Sequence, residues 1–355
     1  MTGAGDPGHH GDVEARGARL DLAVNVAVAQ PPAFVAEAIV REVPRLAAYP
    51  DPTAATETLA AELGVPAGCV LLTNGSAEAF TLVARLRPWR EPLVLEPQFT
   101  EPAEALRHAG TPATAHLLDP ATGWAVDGAS VPAAADLVVV GNPTNPTSRL
   151  HPREQILRLV DTATTPDDRV LLVDEAFLDV STDPAQTVVP DAACRTAGDR
   201  TILVTGSLTK TFGLAGLRAG YVVGPEREID RLRRLQPHWS VNALALAAVL
   251  TVCTPRGRDF RDEQRARLRA NASHLAATLR ACGLHVPVDP DGPFVLAQHP
   301  RAASLREGLR ATGIAVRRAD TFWGLDDTWL RFAARDSGPV DELAAGIRQI
   351  EEEIR

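Results

Sequence analysis

Four short runs constrain this chain more than anything else in it: "PLVLEP" (92–97), "ADLVVVGNP" (135–143), "RVLLVDEAF" (169–177) and "TILVTGS" (201–207). Each is brief, rich in leucine or β-branched residues, and uninterrupted by the polar alternation of a half-exposed strand. The surrounding segments read as helices; "ATETLAAELG", for example, is an amphipathic pattern closed by Gly64, a good helix stop. Buried strands separated by helices predict an α/β fold, a mainly parallel sheet sandwiched by helices. Each run also ends in polar or special residues. Asn142 and Asn145 follow one, Asp174 closes the next, and Ser207 and Lys210 follow the third. Ligands of open α/β sheets collect beyond the carboxyl ends of the strands. These ends therefore predict one shared site.

The texture changes after residue 224. "PEREIDRLRRLQ" is an amphipathic helix with Pro225 at its start, and "DFRDEQRARLRANASHLAATLRACG" is a long helix ended by Gly283. Strand-like "PFVLAQHP", "IAVRRA" and "WLRFAAR" follow, then a last helix, "VDELAAGIRQIEEEIR". At 355 residues the chain exceeds the ~250–300 at which single cores stop growing. The expected division is an N-terminal arm over 1–48 packing with a small domain, a large domain over 49–235, and a linking helix with the small α+β domain over 236–355. The opening "MTGAGDPGHHGD" reads as a mobile polar arm.

Several functions are disfavoured. A net charge of −9 without a basic face speaks against a nucleic-acid partner. Cys69, Cys194, Cys253 and Cys282 are far apart and lack CxxC spacing, as expected of reduced, mostly buried thiols. The nine histidines are dispersed and form no HExxH, so no metal is expected. "LALAAVLTVC" is about half the ~20 residues that span a bilayer, and no membrane partner is expected. "ARLDLAVNVAVAQPP" has the look of a secretion signal, but Asp21 and Asn25 interrupt its core. The expected location is the cytoplasm. "GSLTKT" imitates a phosphate loop, yet Thr209 stands where that loop needs glycine.

Lys210 is the only lysine among 36 lysine and arginine side chains. An amine can shed its proton and attack a carbonyl to form a Schiff base, whereas a guanidinium stays protonated. Ser207 and Arg218 flank it with groups able to hold a phosphate. "NGSAEAF" places Gly75, Ser76 and Ala77 where a turn enters a helix, and such an end attracts anions. A phosphate held there leaves an attached aldehyde beside Lys210.

"SLTKTFGLAGLRAGY", "NPTNPTS", "DEAF" and "NGSAE" occur in the order found in fold-type I pyridoxal-phosphate enzymes, the aminotransferase superfamily of class I/II. The chain resembles that superfamily from about residue 20 to its end. The resemblance implies pyridoxal 5′-phosphate as cofactor, a seven-stranded-type sheet with a smaller α+β domain, and a homodimer. It makes Lys210 the lysine that carries the cofactor and then serves as acid or base at the substrate's Cα. It sets Asp174 against the pyridine nitrogen, Asn145 against the ring 3′-oxygen and Phe99 on the ring face. Ser76, Ala77, Ser207 and Arg218 would cradle the cofactor phosphate, and Tyr49 would reach the phosphate of the neighbouring subunit's cofactor. Arg331 would pair with the substrate α-carboxylate. By residue type alone the alternatives are a helix cap for Asp174, core rings for Phe99 and Tyr49, a surface cation for Arg331, and a mobile tail for His9 and His10.

Two families within the superfamily are closest: threonine-phosphate decarboxylases and histidinol-phosphate aminotransferases. "HWSVNALALAA" is similar to a decarboxylase segment, and Phe177 stands where most aminotransferases have tyrosine. Arg335 follows Arg331 by four, on the same face if both lie in one strand, as suits a substrate bearing carboxylate and phosphate. His10 and Gly11 match a decarboxylase opening that helps bind the substrate phosphate. Asp12 departs from that pattern, as do "NVAV" from Asn25 to Val28 and Ser148 in place of a glycine. The expectation is decarboxylation of O-phospho-L-threonine to (R)-1-amino-2-propanol O-2-phosphate in cobalamin biosynthesis, with Arg331, Arg335, His10 and Asn25 on the substrate. The alternative is transamination of the histidinol-phosphate type with 2-oxoglutarate. In either case the partner is a small phosphorylated amino acid or amine.

Overall fold

A computed structural model describes residues 10–161, 169–194 and 201–353. The first nine residues of the polar arm, His9 among them, lie outside that description, as does the side chain of Cys194. Cys69, Cys253 and Cys282 are free thiols.

Among the described residues, eleven strands form two sheets. They are β1 (Leu20–Leu22), β2 (Val70–Asn74), β3 (Pro92–Glu96), β4 (Thr114–Leu117), β5 (Leu137–Gly141), β6 (Val170–Asp174), β7 (Thr201–Ser207), β8 (Ala219–Val223), β9 (Phe294–Gln298), β10 (Ile314–Arg318) and β11 (Trp329–Ala333). The larger sheet has the order β2-β8-β7-β6-β5-β3-β4. Its strands are parallel except β8, which runs antiparallel to both neighbours. The four runs singled out in the sequence are β3, β5, β6 and β7.

Their uninterrupted apolar character has a direct cause. Val138, Val140, Leu171, Val173, Ile202 and Val204 pack into one core on one face of the sheet. The alternate residues Leu137, Val139, Val170, Leu172 and Leu203 pack into another. Side chains alternate faces along a strand, so a sheet covered twice disfavours a polar residue until the strand ends.

The smaller sheet has the order β1-β10-β11-β9 and its own core, built with the long helix Pro255–Ala281 and the last helix Ser337–Glu353. β1, from the N-terminal segment, runs parallel to β10, pairing Leu20 with Ile314 and Leu22 with Val316. Glu14 is buried and bonds Arg306 at 2.9 Å, which ties the turn before β1 to the helix Ala302–Ala311. Glu14 and β1 thus join the smaller sheet, whereas Phe34 and Val35 of the helix Ala33–Glu42 pack into the core of the larger one, and both sheets contribute walls to one cavity.

Candidate active site

The carboxyl ends of β5, β6 and β7 open into a cavity of about 430 Å³, lined there by Gly141, Asp174, Ser207 and Lys210. That size is ordinary for a small-molecule site. Asp174, the last residue of β6, faces it. Its Oδ1 accepts from Thr205 Oγ1 at 3.1 Å and from the backbone N–H of Ala176 at 3.2 Å. Burial pushes its carboxyl up to about 6, against the opposing pull of those bonds and of Lys210.

Lys210 sits on the loop after β7, its backbone oxygen held by the N–H of Ala27 at 2.8 Å. Burial, followed by the nearby charges of Arg331 and Arg218, brings its amine down to about 8, and Asp174 pulls the other way. Nζ lies 5.8 Å from the centre of the Phe177 ring. An amine this close to neutral can act as a nucleophile near physiological pH.

One end of the cavity is built for an anion. Gly75 precedes the helix Ser76–Ala84 at φ 76°, with no side chain capping the first turn. Arg218 packs against Gly75 beside the free N–H groups of that first turn; a Cβ on Gly75 would stand 2.5 Å from Arg218 Nη2. A Cβ on Gly220 would stand 2.6 Å from Ser76 N, so the β7–β8 hairpin reaches this helix end only through a glycine. Ser207 Oγ and Thr209 Oγ1, 2.7 Å apart, add hydroxyls to the same wall. Helix N-terminus and guanidinium together make a strongly positive corner.

The opposite wall comes from β10 and β11. Arg331 donates to Asn145 Oδ1 and to the carbonyl of Ala23, each at 2.6 Å. Arg317 lies directly across from it in the strand pair, and both side chains line the cavity. Two buried guanidinium groups in cross-strand register repel each other. Arg331 is brought down to about 9, by burial first and Arg317 next. A bound anion between them would relieve that repulsion. Asn25 also lines this wall, buried, with neither its amide nitrogen nor its amide oxygen hydrogen-bonded. His10 and Phe99 complete it; His10 Nε2 lies 2.8 Å from Glu101 Oε1, and its ring 5.8 Å from that of Phe99.

The sequence pattern shared by class I and II aminotransferases matches residues 19–347. The chain belongs to the class I and II aminotransferase family. A histidinol-phosphate aminotransferase of Mycobacterium tuberculosis is 42% identical over 344 residues, covering 96% of this chain and 90% of the relative. A threonine-phosphate decarboxylase of Salmonella typhimurium is 28% identical over 339 residues, covering 93% and 91%. The crystal structure of a histidinol-phosphate aminotransferase from Clostridium acetobutylicum superposes with a TM-score of 0.84 at 21% identity, covering 94% of this chain and 99% of that one. That likeness establishes the fold.

This aminotransferase-family member is a pyridoxal-phosphate enzyme. The cofactor fits the cavity on two observations: a lysine near neutrality and a glycine-built anion corner. When bound, it supplies an electron-withdrawing ring that stabilises negative charge at a substrate's Cα.

The structure brings Lys210, Ser76, Ala77, Phe99, Asn145, Asp174, Ser207, Arg218, Arg331, His10 and Asn25 to this one cavity. Two expected residues lie elsewhere. β11 ends at Ala333, so the alternation that would align Arg335 with Arg331 stops short of it. Arg335 instead donates to the carbonyls of Asp21 at 3.0 Å and Val24 at 2.8 Å, bracing the N-terminal segment from behind. Tyr49 is 76% exposed and stacks on Trp239 beside a separate surface cavity.

The sequence reading of this enzyme missed Arg317. The available cue was an arginine ending the apolar strand "IAVRRA"; an adjacent arginine and a chain rich in that residue obscured it. The segment "HWSVNALALAA" contacts the elements that form the anion corner. Ser240 Oγ donates to Glu78 Oε2 at 3.0 Å, and Asn242 caps the helix Ala243–Val252 while donating to the carbonyl of Leu217 at 3.2 Å. The bond from Asn242 braces the backbone just before Arg218.

Proposed function

We propose that this enzyme is an aminotransferase of the histidinol-phosphate type, moving the amino group of a small phosphorylated amine to 2-oxoglutarate. The observation that carries this reading is the 42% identity over 96% of the chain to a histidinol-phosphate aminotransferase. One feature that pointed to a decarboxylase loses its weight: Arg335 is turned away from the cavity.

In this proposal Lys210 carries the cofactor and then takes up and returns the proton at the substrate's Cα. Asp174 holds the ring nitrogen, Asn145 the 3′-oxygen, and Phe99 the ring face. Ser76, Ala77, Ser207 and Arg218 hold the cofactor phosphate. Arg331 and Arg317 receive the anionic group of each substrate in turn, the phosphate of the amine or a carboxylate of the acceptor, with His10 and Asn25 beside them. Tyr49 completes the site of a second copy, and the working unit is a homodimer in the cytoplasm.

O-Phosphothreonine decarboxylation is the second reading. Phe177 supports it, because this cavity wall offers a ring without a hydroxyl, and a threonine-phosphate decarboxylase is also among the relatives. One pair of assays separates the two. Histidinol phosphate with 2-oxoglutarate should yield glutamate, and O-phospho-L-threonine should yield no CO₂. Release of CO₂ without glutamate formation reverses the assignment.

A further inference from the structure

Strand β7 contains one anomaly. Between Ile202 and Gly206 every side chain is apolar or absent except that of Thr205, which is fully buried. A hydroxyl placed in such surroundings is unfavourable unless it is hydrogen-bonded. Thr205 lies in direct cross-strand register with Asp174, and its hydroxyl donates to Asp174 Oδ1 at 3.1 Å. The hydroxyl has a single proton, so that donation commits it. The backbone of Thr205 is fixed as well, its carbonyl accepting from the N–H of Glu175 at 2.8 Å. The N–H of Ala176 reaches the same Oδ1 at 3.2 Å. Both donors meet one oxygen of the carboxylate, and Oδ2 is left for a ligand in the cavity.

We propose that Thr205 is a positioning residue, whose hydroxyl locks the Asp174 carboxylate so that Oδ2 is presented to the ring nitrogen of the cofactor. The proposal rests on the assignment of Asp174 as the partner of that nitrogen. Thr205 is not part of the cavity lining and acts through Asp174 alone. A hydrogen bond to an ionised group also favours the charged form, and an ionised Asp174 is the form that keeps the ring nitrogen protonated.

The test uses equilibrium binding of two cofactors to the cofactor-free protein. One is pyridoxal phosphate; the other is its 1-carba analogue, in which C–H replaces the ring nitrogen. Thr205→Val keeps the shape and removes the hydroxyl. The expected result is a loss of affinity for pyridoxal phosphate of at least about tenfold, the size of one hydrogen bond to a charged group. Affinity for the carba analogue should stay within about twofold, as for an independent site. Thr205→Ser, which restores the donor, should bring pyridoxal phosphate affinity most of the way back. Equal losses for the two cofactors would show a purely structural role and overturn the proposal, as would no loss for either. If Thr205→Val does not fold, Thr205→Ala supplies the same comparison. Asp174→Asn keeps the two levels distinct. If it too spares pyridoxal phosphate binding, the assignment of Asp174 fails; if it discriminates between the cofactors and Thr205→Val does not, the inference about Thr205 fails alone.

Discussion

Lys210 shows how far one residue can be read from sequence and what structure adds. Its solitude marked it, and its place after a buried strand located it at a ligand-binding edge. Its titration could not be foreseen, because it is set by burial first and then by Arg331 and Arg218, which approach from other elements. An amine with its half-titration point at about 8 should attach pyridoxal phosphate faster as pH rises through that value, then level off. Stopped-flow absorbance of the chromophore measures this; a rate still climbing steeply above pH 10 would show an unperturbed amine. The sign for stability follows from the same shift. Between about 8 and 10.5 the unfolded chain binds the proton that the folded chain has released, so this group favours folding progressively as pH rises through that window. Lys210→Arg should abolish the borohydride-bleachable chromophore altogether, since a guanidinium cannot add to the aldehyde.

At the scale of elements, legibility followed local pattern and failed where register or strand length decided. Strands β3, β5, β6 and β7 were plain because burial on both faces leaves few polar interruptions, Thr205 being the exception in β7. Asp174 and Ser207 were plain because they end such strands. Arg335 was misplaced because the alternation argument assumed two more residues of strand than β11 has. Arg317 and Thr205 depend on which residue of a neighbouring strand they face, and a single sequence does not display that pairing. The corrected pairing makes a prediction for β10 and β11. Arg317→Gln removes one of two like charges in direct register, so the unliganded protein should be no less stable to thermal unfolding than the parent. Its KM for a phosphorylated substrate should nonetheless rise about tenfold or more, through loss of a charge-assisted bond. A large fall in Tm with unchanged KM would mean that Arg317 serves packing instead.

The whole molecule raises a question that a single copy of the chain does not answer. Tyr49 and Trp239 stack on each other with ring centres 4.3 Å apart, yet both are largely exposed. Val40, Val43 and Leu46, on the segment leading to Tyr49, are at least half exposed as well. Apolar surface of this kind calls for cover, and a second copy that receives Tyr49 at its own cofactor would provide it. A Tyr49→Ala chain keeps its lysine but gives its partner no tyrosine; a Lys210→Ala chain does the reverse. Each alone should be severely impaired. Co-expressed and purified through two different tags, their hybrid should regain activity, because one of its two sites would contain Lys210 from one copy and Tyr49 from the other. With random pairing, half the dimers are hybrids, and the unfractionated mixture should reach about a quarter of the parent activity. A mixture no more active than its components would show that Tyr49 serves its own subunit or none, and the dimer would then have no part in completing the site.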